Sequence, residues 1–438
     1  MDASAYFRGK SITVMGLGLL GRGVGDARYL AESGAELIVT DLKSREELAE
    51  SVAQLESFRN IRFVLGEHRL EDFTDRDLIL KAAGVPLDSP YVAEAKENDI
   101  PVRMSADLFA ELSGVPVIGI TGTRGKSTVA HMTYAILKAA GKPVLLGGNV
   151  RGVSTLALLS EVTPEHVAVL ELDSWQCQGW GEAKMSPHIA VFTTFYPDHL
   201  NYYKDDLAAY LADKANIFSY QGAEDTLVIG AQCAPMLIEK YGDRIKSRVI
   251  VADEFNLPDT WMLRIPGQHN RYNAGLALVA ALALGVGDET SRAALGSFTG
   301  VPGRLELVAE KDGIKFYNDT TSTTPVATLA ALAALDTGAK NIVLIMGGAD
   351  KGIDMDALLA RLPEVKRVVL LAGTGTERIR ASLSDAPVFD DLSRAVADAF
   401  ASAEAGDTIV FSPAFASFGM FKNEYDRGDR FVALVRAL

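Results

Sequence analysis

The sequence predicts an α/β protein of three domains, each built on a mainly parallel sheet. Three observations carry that prediction. A complete dinucleotide-type glycine fingerprint follows the first apolar strand. A second glycine turn, of phosphate-binding type, follows an apolar run at 115–120. The last third of the chain alternates short apolar strands with Ala- and Leu-rich helices. The first domain is therefore expected to be Rossmann-like, the central one a P-loop domain and the third Rossmann-like again. At 438 residues the chain exceeds what one core supports, and the boundaries are expected to give 1–112, 113–300 and 301–438.

The first domain opens with SITVMGLGLLG, a strand running into Gly16-x-Gly18-x-x-Gly21. The next apolar stretch, ELIVTD, ends in Asp41, at the spacing of a ribose-binding acid. Three readings stay open: NAD with Asp41 on a ribose hydroxyl, another nucleotide diphosphate in the same crevice, or a tight strand–helix turn. IRFVLG and DLILKAAG add strands, and IPVRMSADLFAEL leads into the second domain.

That domain begins with VPVIGITGTRGKST. A buried strand meets Gly122, Thr123, Arg124, Gly125, Lys126, Ser127 and Thr128, and HMTYAILKAAG then reads as a helix closed by Gly141. Glycines let backbone N–H groups face a phosphate, and the helix start adds positive dipole. Lys126 supplies a point charge, while Ser127 or Thr128 offers a hydroxyl to Mg²⁺. VLLGGNVRG puts Asn149 at a glycine-rich strand tip. HVAVLELDSWQC places Glu171 near a strand's C-terminal end, and HIAVFTTFYPDHL places Asp198 and His199 beyond another. Each reads as a surface or capping residue on its own, and as an Mg²⁺ ligand beside a phosphate loop. Lys214 reads from its pattern as an exposed helical lysine. His269, Asn270 and Asn273 precede an apolar helix, where they cap it or touch a nucleotide. In the third domain IKFYND, KNIVLIMGG, KRVVLLAG and DTIVFSPA are strands. Polar clusters follow them at 318–323, 347–351 and 412–417, and are expected to line one sheet edge facing another domain.

Composition bounds the partners. The chain is 48% hydrophobic and 23% charged, as soluble globular proteins are, with net charge −14. That balance argues against broad nucleic-acid or anionic-membrane binding and leaves room for a local basic pocket. No apolar run approaches the ~20 residues of a membrane span. Cys177 and Cys233 lack metal-ligand spacing and read as free thiols in a reducing compartment. MDASAYFRGK has no apolar signal core, so a cytoplasmic protein is expected, and a monomer is the expected state.

Taken together, Gly122–Thr128, Glu171, Asp198-His199, Lys214, His269-Asn270-x-x-Asn273, Gly303-Arg304, Asn318-Asp319 and Ser412-Pro413 resemble the Mur ligases in identity and order. The N-terminal fingerprint and SPAFASFGMFKNEYDRG are similar to members that add glutamate to UDP-N-acetylmuramoyl-L-alanine. The resemblance implies an ATP-dependent ligase acting through an acyl phosphate, with domain closure shielding that intermediate from water. It implies D-glutamate as the added residue, with L-glutamate, another amino acid or a folylpolyglutamate-type activity as alternatives. It implies that Gly18, Leu19, Leu20 and Asp41 hold the UDP part and that Asn149 lies near the muramoyl-alanine. The loop 122–128 with Asn270, Asn273, Arg304 and Asp319 would bind ATP. Ser127 and Glu171 would hold one Mg²⁺, and His199 with a carbamylated Lys214 a second. Lys126, His199 and Lys214 would be catalytic, and Thr323, Lys351 and Ser417 would face glutamate. Arg124, Thr321 and Glu424 depart from the family pattern, which usually has Asn, Lys and an aromatic residue there.

Overall fold

The computed structural model describes residues 3–438, the side chains of 200 and 201 excepted. The chain divides into two compact units. One holds the residues up to Asp259 with Tyr272–Leu295, and the other holds Thr260–Arg271 with Gly296–Leu438.

The first unit carries two sheets. Strands β1 (Ser11–Met15), β2 (Glu36–Asp41), β3 (Ile61–Leu65), β4 (Leu78–Lys81) and β5 (Val102–Arg103) are all parallel, in the order β3-β2-β1-β4-β5. The strand order reverses between β1 and β4, and in open parallel sheets the crevice at that reversal takes the ligand. Here Gly16, just past β1, lies so near Ala82, just past β4, that a Cβ on Gly16 would sit 2.7 Å from the Ala82 Cβ.

The second sheet comprises β6 (Val117–Thr121), β7 (Val144–Gly148), β8 (Val167–Glu171), β9 (Ile189–Phe192), β10 (Thr226–Gly230) and β11 (Arg248–Ala252). Its order is β11-β10-β9-β6-β8-β7, again parallel throughout. Every residue of β6, β8 and β9 is buried, which is why these strands read as continuous apolar runs rather than alternating ones. The reversal falls between β6 and β9, so the phosphate-type loop after β6 opens at the switch point. One apolar core runs from Phe7 through Phe109 and Trp180 to Tyr241, beneath both sheets. The helix after the loop starts at Lys126, earlier than its apolar pattern suggested, and ends at Ala139.

The second unit carries β12 (Glu306–Lys311), β13 (Ile314–Asn318), β14 (Ile342–Gly347), β15 (Arg367–Leu371), β16 (Val388–Phe389) and β17 (Thr408–Phe411), in the order β12-β13-β17-β14-β15-β16. Only β12 is antiparallel, and its half-buried, charge-rich ELVAEK gave no strand signal. Separate apolar clusters cover the two faces of this sheet.

One backbone position in the first unit is under tight steric control. Gly148 has φ +84, and a Cβ there would lie 2.0 Å from the Glu171 carbonyl oxygen. Gly148→Ala is expected to destabilise the protein by at least ~1–3 kcal/mol, from the left-handed backbone alone. A lowered melting temperature in a thermal denaturation scan checks this, and an unchanged one contradicts it.

Candidate active site

In the first unit the glycine turn closes against the segment that follows β9. The Thr123 N–H donates to the Thr194 carbonyl at 2.7 Å, the Thr123 hydroxyl to the Tyr196 carbonyl at 3.1 Å, and the Arg124 N–H to the Thr194 hydroxyl at 3.0 Å. A Cβ on Gly122 would lie 2.1 Å from Thr193 Oγ1, and one on Gly125 would lie 2.4 Å from Asn273 Oδ1. Asn273, near the start of helix Gln268–Leu282, is thus packed onto the loop.

Two lysines meet at one carbonyl. Lys126 Nζ donates to the carbonyls of Gly122 and Thr123, both at 3.1 Å. Lys214 Nζ donates to the same Gly122 carbonyl at 2.8 Å and lies 4.8 Å from the Tyr210 ring centroid. Lys214 is only 1% exposed, which corrects its reading as a surface lysine. Helix Leu207–Ser219 presents Tyr210, Leu211, Lys214, Ala215, Ile217 and Phe218 inward, and the lysine falls within that apolar stripe. Burial, aided by Lys126, pulls its ammonium down to about 7. The amine therefore gives up its proton far more readily than an ordinary lysine does.

Glu171 ends β8 beside Ile120 of β6, one strand from the loop. It is 2% exposed, yet the only group its carboxylate meets among the described residues is the Asn149 amide, at 3.5 Å. Ser127 is buried at the helix start, and its hydroxyl makes no hydrogen bond among the described residues. His199 lies with its ring centroid 4.7 Å from that of Trp175 and 6.1 Å from that of Tyr210, in a left-handed backbone conformation. Burial holds its imidazole below the usual range, with Lys126 and Lys214 adding to the effect. Burial works against ionisation of Asp198, but His199 and Arg124 hold its carboxyl below the ordinary value. The two shifts run the same way, His199 toward its neutral form and Asp198 toward its anion. Among the described residues no three His, Cys, Asp or Glu side chains converge on one point. Hydroxyl and carboxylate oxygens such as those of Ser127 and Glu171 are the donor type that Mg²⁺ prefers.

A cavity of about 210 Å³ opens between the first two sheets. Gly16 to Leu20, Arg22, Asp26, Lys81 and Gln176 are among its lining residues. Gly18, Leu19 and Leu20 therefore line it as a group. Asp41 does not; its carboxylate accepts the N–H groups of Gly18 at 3.0 Å and Lys43 at 2.9 Å, fixing the glycine turn. Asn149 accepts a hydrogen bond from Arg22, linking the cavity to the Glu171 end of β8. Arg22, Asp26 and Lys81 were missed by sequence reasoning. Burial raises Asp26 to about 6, against the hydroxyls of Ser154 and Ser105 that donate to it. Burial lowers Lys81 to about 8, and its ammonium donates to the Val85 carbonyl at 2.9 Å. A signal for Lys81 existed: a charged residue closing the apolar run LILK, the logic that singled out Glu171.

In the second unit the predicted residues gather at the C-terminal ends of β13, β14 and β17. Asp319 accepts from the Leu305 N–H at 3.0 Å and the Ser412 hydroxyl at 2.7 Å, and burial raises it to about 6. Exposed Arg304 lies in its field. Lys351 donates to the Thr323 hydroxyl at 2.9 Å, and an Ala349–Ala416 bridge brings the 351 and 417 segments side by side. Asn270 donates to the Pro266 carbonyl at 2.7 Å, a bond within its own turn.

Comparison with known proteins follows the same three segments. Family models match residues 10–104 (Mur ligase MurD-like, N-terminal domain), 120–256 (Mur ligase middle domain) and 303–415 (Mur ligase, glutamate ligase domain). A protein of Roseiflexus sp. strain RS-1, named UDP-N-acetylmuramoylalanine–D-glutamate ligase, is 36% identical over 98% of this chain and 99% of its own. Proteins of the same name from Geobacillus kaustophilus and Treponema pallidum are 36% and 31% identical, over 100% of this chain and 100% and 99% of theirs. Among solved structures, the UDP-N-acetylmuramate-alanine ligase of Thermotoga maritima shares the fold at TM-score 0.63 and 18% identity, covering 98% of this chain and 99% of that one. The MurF ligase of Thermotoga maritima, in complex with ADP, does so at TM-score 0.60 and 17% identity, covering 99% and 96%. With three sheets, a lysine-bearing glycine turn and full-length relatives above 30% identity, the chain belongs to the Mur ligase family.

Proposed function

We propose that the protein joins D-glutamate to UDP-N-acetylmuramoyl-L-alanine at the expense of ATP, through an acyl phosphate, in peptidoglycan precursor synthesis. The supporting observation is the convergence of Lys126 and Lys214 on the Gly122 carbonyl, one strand from the under-bonded carboxylate of Glu171. The full-length relatives carry the name of that reaction.

In this reading Gly18, Leu19 and Leu20 take the UDP part, Asp41 serves it by fixing their turn, and Asn149 lies toward the muramoyl-alanine. The loop N–H groups from Gly122 to Thr128, with Lys126, cradle the ATP phosphates. Asn273 stands beside that loop, and Asn270, Arg304 and Asp319 are the second unit's ATP-facing groups. Thr323, Lys351 and Ser417 are its glutamate-facing groups. Ser127 and Glu171 would hold one Mg²⁺, and His199 with Lys214 another. Lys214 suits this only as a carbamate: its neutral amine adds to CO₂, a proton leaves, and an oxygen donor replaces a repelling ammonium. Bound Mg²⁺ supplies charge neutralisation on the phosphates.

The substrate carboxylate attacks the γ-phosphorus, forming a P–O bond as ADP leaves. Lys126 stabilises the charge that moves onto the departing oxygens. The glutamate amine then attacks the acyl carbon, loses its proton and expels phosphate. A phosphate-release assay with UDP-N-acetylmuramoyl-L-alanine, ATP and Mg²⁺, against D- and L-amino acids, tests the reading. Release with D-glutamate at least ~10-fold above L-glutamate is expected, since a site built for one enantiomer misplaces the amine of the other. Preference for L-glutamate or another residue overturns the substrate, and no release with any overturns the activity.

A further inference from the structure

We propose that Arg427 is the positioning residue that keeps the two glutamate-facing loops of the second unit in register; this rests on the ligase reading above. Arg427 lies on helix Glu424–Ala437 and is 0% exposed. Its guanidinium spans two loops. Nε donates to the Thr320 hydroxyl at 3.1 Å and Nη2 to the Thr320 carbonyl at 2.8 Å, while Nη1 donates to the Phe415 carbonyl at 3.2 Å. Thr320 belongs to the loop after β13 and Phe415 to the loop after β17.

Among the described residues no carboxylate lies within ion-pair distance of Arg427. The charge is answered by those oxygens, by the Phe411 ring 5.9 Å away and by the more distant Glu424, still an expensive way to fill a helix face where leucine would serve. A rigid planar fork does what no apolar side chain can: it fixes two backbone segments at once. The surroundings are shaped to it. A Cβ on Gly428 would lie 2.5 Å from Thr320 Cγ2, so the helix approaches the loop only because glycine is there. The Thr320 hydroxyl in turn donates to the Glu424 carbonyl at 3.0 Å.

The two loops continue into Thr323 and Ser417, the groups placed toward glutamate. Asp319, placed toward ATP, has further anchors of its own in the Leu305 N–H and Ser412. Loss of the fork should therefore disturb glutamate more than ATP.

Arg427→Lys keeps the charge and loses the fork. It is expected to raise the glutamate KM about tenfold, with the ATP KM and kcat within about threefold of wild type. Arg427→Met should match or exceed it. If neither variant folds, Thr320→Val removes one acceptor and should raise the glutamate KM about threefold with the same selectivity. A folded Arg427→Lys with unchanged glutamate KM overturns the proposal, as does an equal shift in both KM values and kcat. No glutamate-dependent phosphate release from wild type would instead overturn the ligase reading itself, and this proposal with it.

Discussion

Lys126→Ala is expected to lower phosphate release by at least ~10³-fold while leaving the melting temperature close to that of wild type, because a preorganised cation at the transferring phosphoryl group is worth several kcal/mol. The physical basis is local. Lys126 is held over the turn by two carbonyls, so its ammonium is placed before ATP arrives. Alanine is a good helix former at the first position of helix Lys126–Ala139, and the left-handed Gly125 that starts the helix is untouched. The Gly122 carbonyl keeps its bond from Lys214. Wild-type release from a folded Lys126→Ala would show that the turn does not grip the triphosphate.

Lys214→Ala is the second large effect, expected at ~10²-fold or more in kcat, since a lost oxygen donor removes charge neutralisation from the phosphates. It differs from the first in being reversible. Acetate or formate at millimolar concentration should restore part of the activity by supplying the missing oxygens, whereas chloride should not. Full activity without rescue would eliminate the carbamate.

The same lysine sets a pH dependence. Its amine sits near 7 when folded against an ordinary 10.5, so the unfolded chain binds more protons across that window. Stability of the uncarbamylated protein should then rise as pH increases from about 7 toward 10.5, by linkage. Activity should fall below about pH 7, where the protonated amine no longer takes up CO₂. Lys214→Ala should flatten that part of the stability profile.

Much of the architecture was legible before any coordinates. The β6, β8 and β9 runs are apolar throughout because both faces are covered, and glycines mark the turns that follow them. Composition, glycine spacing and strand-terminal acids thus gave the sheets, the phosphate-type turn and Glu171. They gave β12 no signal, since an antiparallel edge strand with one wet face lacks the continuous apolar run.

Local pattern determined part of the candidate set, a lysine after a glycine, an acid closing a strand, amides at a helix start, and the family resemblance supplied the rest, Lys214 among them. What the tertiary structure decided is the electrical state and the partner of each. Lys214 has the sequence context of a solvated helical lysine, and only the packing of its helix over Gly122 strips its water and lowers its proton affinity. Arg22, Asp26, Lys81 and Arg427 likewise owe their environments to segments distant in the chain. Desolvation depends on what lies across the gap, and that is a property of the fold rather than of neighbouring residues.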